Sequence, residues 1–269
     1  MVLLLFGLDT SGSSEPGRSK PPSNFQQPMG LFPSWHFMSN LCIIPARGGS
    51  KRIPRKNIRS FLGSPIISYS IRAAIESGLF DDVMVSTDDD EIAQVAQEFG
   101  ASIPFKRSKK ASGDYAKTAD VLLEVLEAYR KKEKLSFENL CCLYPCSPLV
   151  TRATLRKAWE TFQAKTGVYD ALIPVVRFGF PPQRSFHLDG DKLAYHWPEH
   201  AMSRSQDLEP LLHDAGQFYW IRTKVLQEMK TLVPAKTGAI ILEELEVQDI
   251  DNEVDWKMAE LKFSALDNG

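Results

Sequence analysis

The 269-residue sequence lacks most of the features that assign a protein at a glance. It has only four cysteines, Cys42, Cys141, Cys142 and Cys146, and no Cys or His pair spaced to complete a zinc site. The four are read as reduced thiols of a cytosolic, cytoplasmic protein rather than as a disulfide framework. Net charge is also lacking: 32 Lys and Arg against 34 Asp and Glu leave −2, without the basic excess of a general nucleic-acid binder. No apolar run is long enough to span a membrane. The opening "VLLLFGL" looks like a short signal core, but no Lys or Arg precedes it. There is no GxGxxG loop and no GxxxxGK followed by Ser or Thr, which sets aside NAD-type dehydrogenases and Walker-type NTPases. There is no internal repeat.

What is present is an ordinary globular composition, 43% hydrophobic and 25% charged, enough for one large domain with a sizeable core. Residues 1–40 stand apart. "LDTSGSSEPGRSKPPSNFQQPMG" is rich in Ser, Pro and Gly and has no apolar period, so a disordered extension is expected. A misassigned leader, with Met38 as the native start just before the first strand, is preferred to an export signal. Over 41–265 the signals alternate. "LCII", "DVMVS", "NLCCLY" and "DALIPVV" read as strands; "IISYSIRAAIESG", "TDDDEIAQVAQEFG", "KTADVLLEVLEAYRKK" and "TRATLRKAWETFQAK" read as amphipathic helices. Ser64 is expected to cap the first helix with Pro65 at its first position, and Gly78 to close it. The rhythm predicts an α/β fold: a doubly wound, mostly parallel sheet with helices on both faces. It breaks over about 178–212, where Asp189 and Gly190 form a turn signal between two short strand-like runs, a hairpin excursion.

Two stretches carry chemistry. "PARGGSKRIPRKN" follows the first strand, at the edge of the sheet where such folds bind ligands, and six basic residues with no acid lie from Arg47 to Arg59. Gly48 and Gly49 allow a close backbone approach to an anion; Arg47 offers a planar fork, and Lys51 or Lys56 a point charge. The pattern suits a polyphosphate; the alternative is a solvated basic turn. "EVQDIDNEVDW" places five acids and no base from Glu246 to Asp255. In a strand, Asp249 and Asp251 share a face and can converge on one hard cation such as Mg2+. The alternative makes Asp249 a surface acid and Asp251 the N-cap of the next helix. Beside a phosphate-gathering loop the cation reading gains, because charge at a reacting phosphorus needs neutralising.

"IIPARGGSKRIPRKNI" resembles the signature of the cytidylyltransferases that activate acidic sugars, the CMP-sialic acid synthetases and their bacterial relatives, over residues 41 to about 263. The resemblance implies a nucleotide-diphospho-sugar transferase-like fold with the excursion used for dimerisation. It implies that Arg47, Gly48, Gly49, Ser50, Lys56 and Asn57 hold the CTP phosphates and base, with Arg47 and Lys56 acting in catalysis. Ser86, Thr87 and Asp88 match the family's "STD", Arg107 and Asp114 its next Arg and Asp, and Asp249 and Asp251 its metal pair. Where the family has Arg-Pro, this chain has Arg107-Ser108. Asp251 is one candidate for the base that takes the hydroxyl proton.

The block "RSQDLEPLLHDAGQFYW" should hold the sugar. Arg204, Gln206, His213 and Gln217 can supply donors and a cation for a carboxylate, and Phe218, Tyr219 and Trp220 an apolar face; those aromatics also suit a strand core, and a lone His213 suits a structural role. The block resembles the pseudaminic acid branch of the family, as does Tyr144 where sialic acid synthetases carry Gln. Cys146 departs from the usual Thr. The expectation is an enzyme joining CTP to a nine-carbon sugar acid, pseudaminic acid before N-acetylneuraminic or legionaminic acid, as a homodimer with no nucleic-acid or membrane partner. The alternative of another class is a non-catalytic nucleotide-binding module.

Overall fold

A computed structural model describes residues 36–50, 52–113 and 116–267, so residues 1–35, Lys51 and Asp114 lie outside the described residues. In chain order the strands and helices are β1 (His36–Pro45), β2 (Ser60–Phe61), β3 (Ser64–Pro65), α1 (Ile66–Ser77), β4 (Asp82–Ser86), α2 (Asp90–Glu98), α3 (Lys109–Ser112), α4 (Thr118–Ala128), β5 (Leu135–Leu143), α5 (Arg152–Ala164), β6 (Ala171–Arg177), β7 (Phe186–Asp189), β8 (Lys192–Tyr195), β9 (Leu212–Asp214), β10 (Phe218–Arg222), α6 (Thr223–Met229), β11 (Thr237–Leu242) and α7 (Glu253–Asp267).

The main sheet runs β11-β6-β10-β5-β1-β4, with β9 added on β6. The pairs β1–β4, β1–β5 and β6–β11 are parallel. β1 and β5 are apolar on both faces, as a strand must be when helices cover both sides. Cys42 and Ile44 pack with Ile67 and Ile71 of α1, Ile92 of α2 and Leu155 and Phe162 of α5. Their neighbours Leu41 and Ile43 point the other way, into Leu122 and Leu126 of α4 and Leu226 of α6. The doubly wound architecture is therefore built directly from strand alternation.

β10 breaks the parallel pattern, lying antiparallel to both β5 and β6. The excursion explains this. After β6 the chain leaves the sheet, forms the β7–β8 hairpin about Asp189 and Gly190 (φ 63°), and re-enters through β9, antiparallel to the end of β6. The β7–β8 hairpin pairs outside the main sheet, and its outward residues include Leu188 and Leu193, each 69% exposed.

Three expectations are corrected. Ser64 does not cap α1: it pairs with Phe61 in the small β2–β3 ribbon, Pro65 itself holds the cap position, and no side chain caps the helix. Gly78 does close α1, at φ 66°. Met38 does not precede the first strand; it lies inside β1 opposite Phe137, and the strand begins at His36, inside the stretch read as disordered.

Candidate active site

β1 delivers the basic loop to the carboxyl edge of the sheet, and the structure divides the loop's described positive charges into two groups. Arg55 and Arg59 face away from the cleft and act as clamps. Arg55, at a left-handed φ of 53°, grips both oxygens of Asp89 at 2.5 and 3.0 Å and also reaches Glu91. Arg59 grips both oxygens of Glu253 at 2.5 and 3.0 Å and lies over the Trp256 ring at 4.5 Å. Arg47, Arg52 and Lys56 instead line a cleft of about 240 Å³ with Ser50, Ile53, Asn57, Tyr144, Pro145 and Cys146.

Asp89 ties the loop to the sheet. It caps α2 by accepting from the Ile92 N–H at 3.0 Å, and Arg55 holds its carboxyl down at about 2. A Cβ on Gly48 would stand 2.8 Å from Oδ2 of Asp89, whose carboxylate is already held by Arg55 at both oxygens and by the Ile92 N–H at Oδ1. Glycine is required there by a neighbouring side chain, in addition to any ligand. The Gly48 N–H donates to Asp88 at 3.1 Å. Asn57 is buried, donating to the Arg47 carbonyl at 2.9 Å and accepting from the Cys146 thiol at 3.3 Å. The sequence reading flagged Cys146 only as a departure from its family; its place beneath Asn57, with the thiol pushed up to about 12 by burial, needed the structure.

The opposite wall is the acidic segment. Residues 247–251 belong to no strand, contrary to expectation, but the two-residue alternation survives. Ile250 points into a core of Ile53, Phe61 and Trp256, while Asp249 and Asp251 line the cleft. Lys56 donates to the Ile250 carbonyl at 2.6 Å, stitching the two walls together. The helix cap is Asn252: its side chain accepts from Val254 and Asp255 N–H at 2.8 and 3.1 Å, and Asp255 reaches back to the N–H of Asp251 and Asn252. The reading of Asp251 as N-cap is thereby excluded, and its carboxylate is left for the cleft, where Arg52 meets it at 2.8 Å. The protein packed around Asp249, and then the like charge of Asp251, hold its carboxyl above the usual range.

Two neighbouring carboxylates in this state suit a divalent cation, and Mg2+ takes one or two carboxylates together with water and substrate oxygens. Among the described residues no group of three or more His, Cys, Asp or Glu could hold a metal, so Asp249 and Asp251 would hold such an ion with ligands from outside the chain.

Other expected residues stand elsewhere. Ser86 and Arg107 are buried together: Arg107 donates to the Ser86 hydroxyl at 3.1 Å and carbonyl at 2.5 Å, and burial pulls its guanidinium down. Asp88 serves Gly48, and Gly49 is exposed outside the cleft lining. Gln217 is 1% exposed and lines neither the cleft nor the adjoining cavity: it donates to the Glu246 carbonyl at 2.7 Å, and its buried Oε1 has no partner among the described residues. Phe218 and Trp220 are core, with Trp220 stacked on Phe80 at 5.1 Å. Tyr219 is buried with its hydroxyl on Asp214 at 2.6 Å, edge-on to Tyr144 at 5.6 Å. His213 lines an adjoining cavity with Arg177, Phe178 and Asp249, next to the cleft. Arg204 is exposed and paired with Asp207 at 2.8 Å, and with Gln206 it lies on the excursion, lining neither cavity. Gly216 (φ 64°) and Gln248 line the cleft and were missed; the Ala-Gly turn before β10 was the only sequence signal for the first.

Residues 41–231 match the cytidylyltransferase family. Over 227 residues the chain is 42% identical to the pseudaminic acid cytidylyltransferase of Campylobacter jejuni, covering 84% of this chain and 97% of that one. It is 34% identical to the CMP-N,N'-diacetyllegionaminic acid synthase of Legionella pneumophila over 85% of this chain and 100% of that one. A solved CMP:2-keto-3-deoxy-manno-octonic acid synthetase complexed with CTP superposes with a TM-score of 0.63 at 16% identity, over 85% of this chain and 100% of that one.

Proposed function

The chain belongs to the cytidylyltransferase family, and from that membership we propose that it joins CTP to pseudaminic acid, forming the CMP-sugar and pyrophosphate. The observation that carries the reading is the cleft itself, with Arg47 and Lys56 on one wall and Asp249 and Asp251 on the other. The anomeric hydroxyl gives up its proton to a base, for which Asp251 is the candidate in the cleft; its oxygen bonds to the α-phosphorus, the bond to the oxygen bridging to the β-phosphate breaks, and pyrophosphate leaves with that electron pair. The protein contributes positioning and charge, as in other phosphoryl transfers. Arg47 and Lys56 balance the triphosphate, Asn57 locks the Arg47 carbonyl, and Tyr144 and His213 border the space left for the sugar. Bound at Asp249 and Asp251, Mg2+ would supply neutralising charge at the phosphates.

Pseudaminic acid is preferred to other sugar acids because relatives bearing that name match at 40–42% identity over 84% of the chain, against 34% for a legionaminic acid synthase. The protein works as a homodimer whose excursion seats on its copy, a reading supported by the exposed Phe180, Leu188, Leu193 and Met202. Its four free cysteines suit the cytoplasm. The test is pyrophosphate release from CTP and Mg2+ with a panel of nine-carbon sugar acids. Pseudaminic acid should be used at least about tenfold more efficiently than N-acetylneuraminic acid, since each unpaired polar group costs about 1 to 3 kcal/mol. A preference for N-acetylneuraminic acid moves the assignment to a sialic acid synthetase, and no release with any acid refutes the enzyme.

A further inference from the structure

The segment that carries Asp249 and Asp251 belongs to no strand, so its carbonyls find no ladder partner and need other donors. Side chains supply them. Lys262, on α7, donates to the Glu244 and Val247 carbonyls at 2.8 and 2.7 Å. Gln217 donates to that of Glu246 and Lys56 to that of Ile250, at 2.7 and 2.6 Å. At the far end of the segment Asp255, in the first turn of α7, accepts from the N–H of Asp251 and Asn252. Asp255 and Lys262 lie two turns apart on that helix, about 10 Å. The segment therefore runs back along α7 and is tied to it at both ends. Val247 and Ile250, on either side of Asp249, are buried. Lys262 lines the adjoining cavity together with Asp249, and it does not line the cleft.

We infer that Lys262 is a positioning residue for Asp249: its ammonium pins two carbonyls ahead of Asp249 and through them sets where that carboxylate stands. The inference rests on the reading of Asp249 and Asp251 as the ligands of a divalent cation. An ammonium has three donors, enough to hold both carbonyls at once. A cation binds best to carboxylates that already stand in place. A carboxylate on a loose segment has to be ordered at the moment of binding, and that ordering costs affinity. A role through charge alone has the opposite sign. A positive charge beside a cation site repels the cation, so its removal tightens binding. Removal of a positioning donor loosens the segment and weakens binding. The direction of the change in cation affinity therefore separates the two roles.

The test uses the full chain and Mn2+ as the probe, read by electron paramagnetic resonance without nucleotide. Lys262→Met keeps the apolar stem and loses the donor. It should bind Mn2+ about tenfold more weakly than wild type, the low end for losing a group that orients a metal ligand. In pyrophosphate-release assays it should need about tenfold more Mg2+ for half-maximal turnover, with kcat at saturating Mg2+ within about twofold of wild type. Lys262→Arg, whose guanidinium can serve both carbonyls, should restore most of the Mn2+ affinity. Lys257→Met, at an exposed lysine of the same helix, should leave both readings at the wild-type value. If Lys262→Met does not fold, Lys262→Gln, with one amide for two carbonyls, takes its place and should shift Mn2+ affinity in the same direction. Unchanged Mn2+ binding overturns the positioning role, and tighter binding replaces it with a charge effect. A loss confined to kcat at saturating Mg2+ overturns it as well. Equal Mn2+ affinity in wild type and Asp249→Asn removes the cation site and the inference with it. The Mn2+ measurement needs neither CTP nor a sugar acid, so failure of the enzyme reading, seen as no turnover by wild type, is told apart from failure of this one.

Discussion

The basic loop and the excursion at 178–212 are both long, irregular and rich in functional residue types, yet they fold on opposite principles. The loop and the ribbon that follows it turn their apolar residues inward, with Ile53 and Phe61 almost wholly buried, and Arg55 and Arg59 are spent on carboxylates of the same chain. The excursion turns its apolar residues outward: Phe180 and Met202 are 92% and 94% exposed. Its charged residues settle for local pairs such as Arg204 with Asp207. A loop finished by its own chain can position a ligand to a fraction of an ångström. A segment that leaves large apolar side chains in water is finished by something else.

The comparison can be broken most forcefully at the loop's acidic counterpart. Asp249→Asn or Asp251→Asn should lower turnover at least about a hundredfold, since a lost cation ligand removes several kcal/mol of transition-state stabilisation. Thermal stability should hold, because Asn252 and Asp255 cap α7 without them; steady-state kinetics over a magnesium series, paired with a melting curve, checks both. Normal turnover at limiting magnesium places the cation elsewhere. Next in size is the split within the loop. Arg47→Ala and Lys56→Ala should each cut kcat/KM for CTP about 30-fold, the value of a charge-assisted contact of about 2 kcal/mol. Arg59→Ala, outside the cleft, should lower the melting temperature and leave KM for CTP within about twofold. If Arg59→Ala matches Arg47→Ala in kinetics, the division into clamps and ligands fails. The smallest kinetic effect belongs to the excursion. Phe180→Glu with Met202→Glu should leave KM for CTP within about twofold and convert a dimer to a monomer by sedimentation. A wild-type chain that sediments as a monomer removes the homodimer.

The sequence disclosed the sheet, its two helical faces and the loop's place at the carboxyl edge, because strand alternation and helix periodicity are local patterns. It also placed Lys56, Asn57, Asp249 and Asp251 at one cleft through a signature and a spacing. It did not disclose that β10 runs antiparallel, since strand direction depends on where a long excursion re-enters. It did not disclose the surroundings of Gln217: a polar residue beside aromatics suits a sugar site, and in the structure its side chain is buried and its amide donates to the Glu246 carbonyl, 29 residues away. It could not sort the loop's described basic residues, because Asp89, Asp251 and Glu253, the partners of Arg55, Arg52 and Arg59, are 34 or more positions distant. Ser64 failed for a smaller reason: a two-residue ribbon took the backbone before the helix could.

The position of β10 also governs how the chain reaches this state. Phe218 pairs with Leu143 on one side while Trp220 pairs with Leu172 on the other, so one late strand closes a gap between two earlier ones. On the ribosome, β1, β4 and β5 can zip together long before Phe218 is made, but the free edge of β5, with Leu140 to Leu143 all destined for burial, must wait. An apolar strand edge held open during synthesis is a template for the wrong partner. Lengthening the excursion adds only slowly to the entropy of closing that gap, so its size is tolerated; what matters is that it ends in β10. A chain stopped short of Phe218 would retain the basic signature loop and still leave the β5 and β6 edges that β10 joins unsatisfied. The recognisable motif is early, and the fold that makes it usable is sealed late.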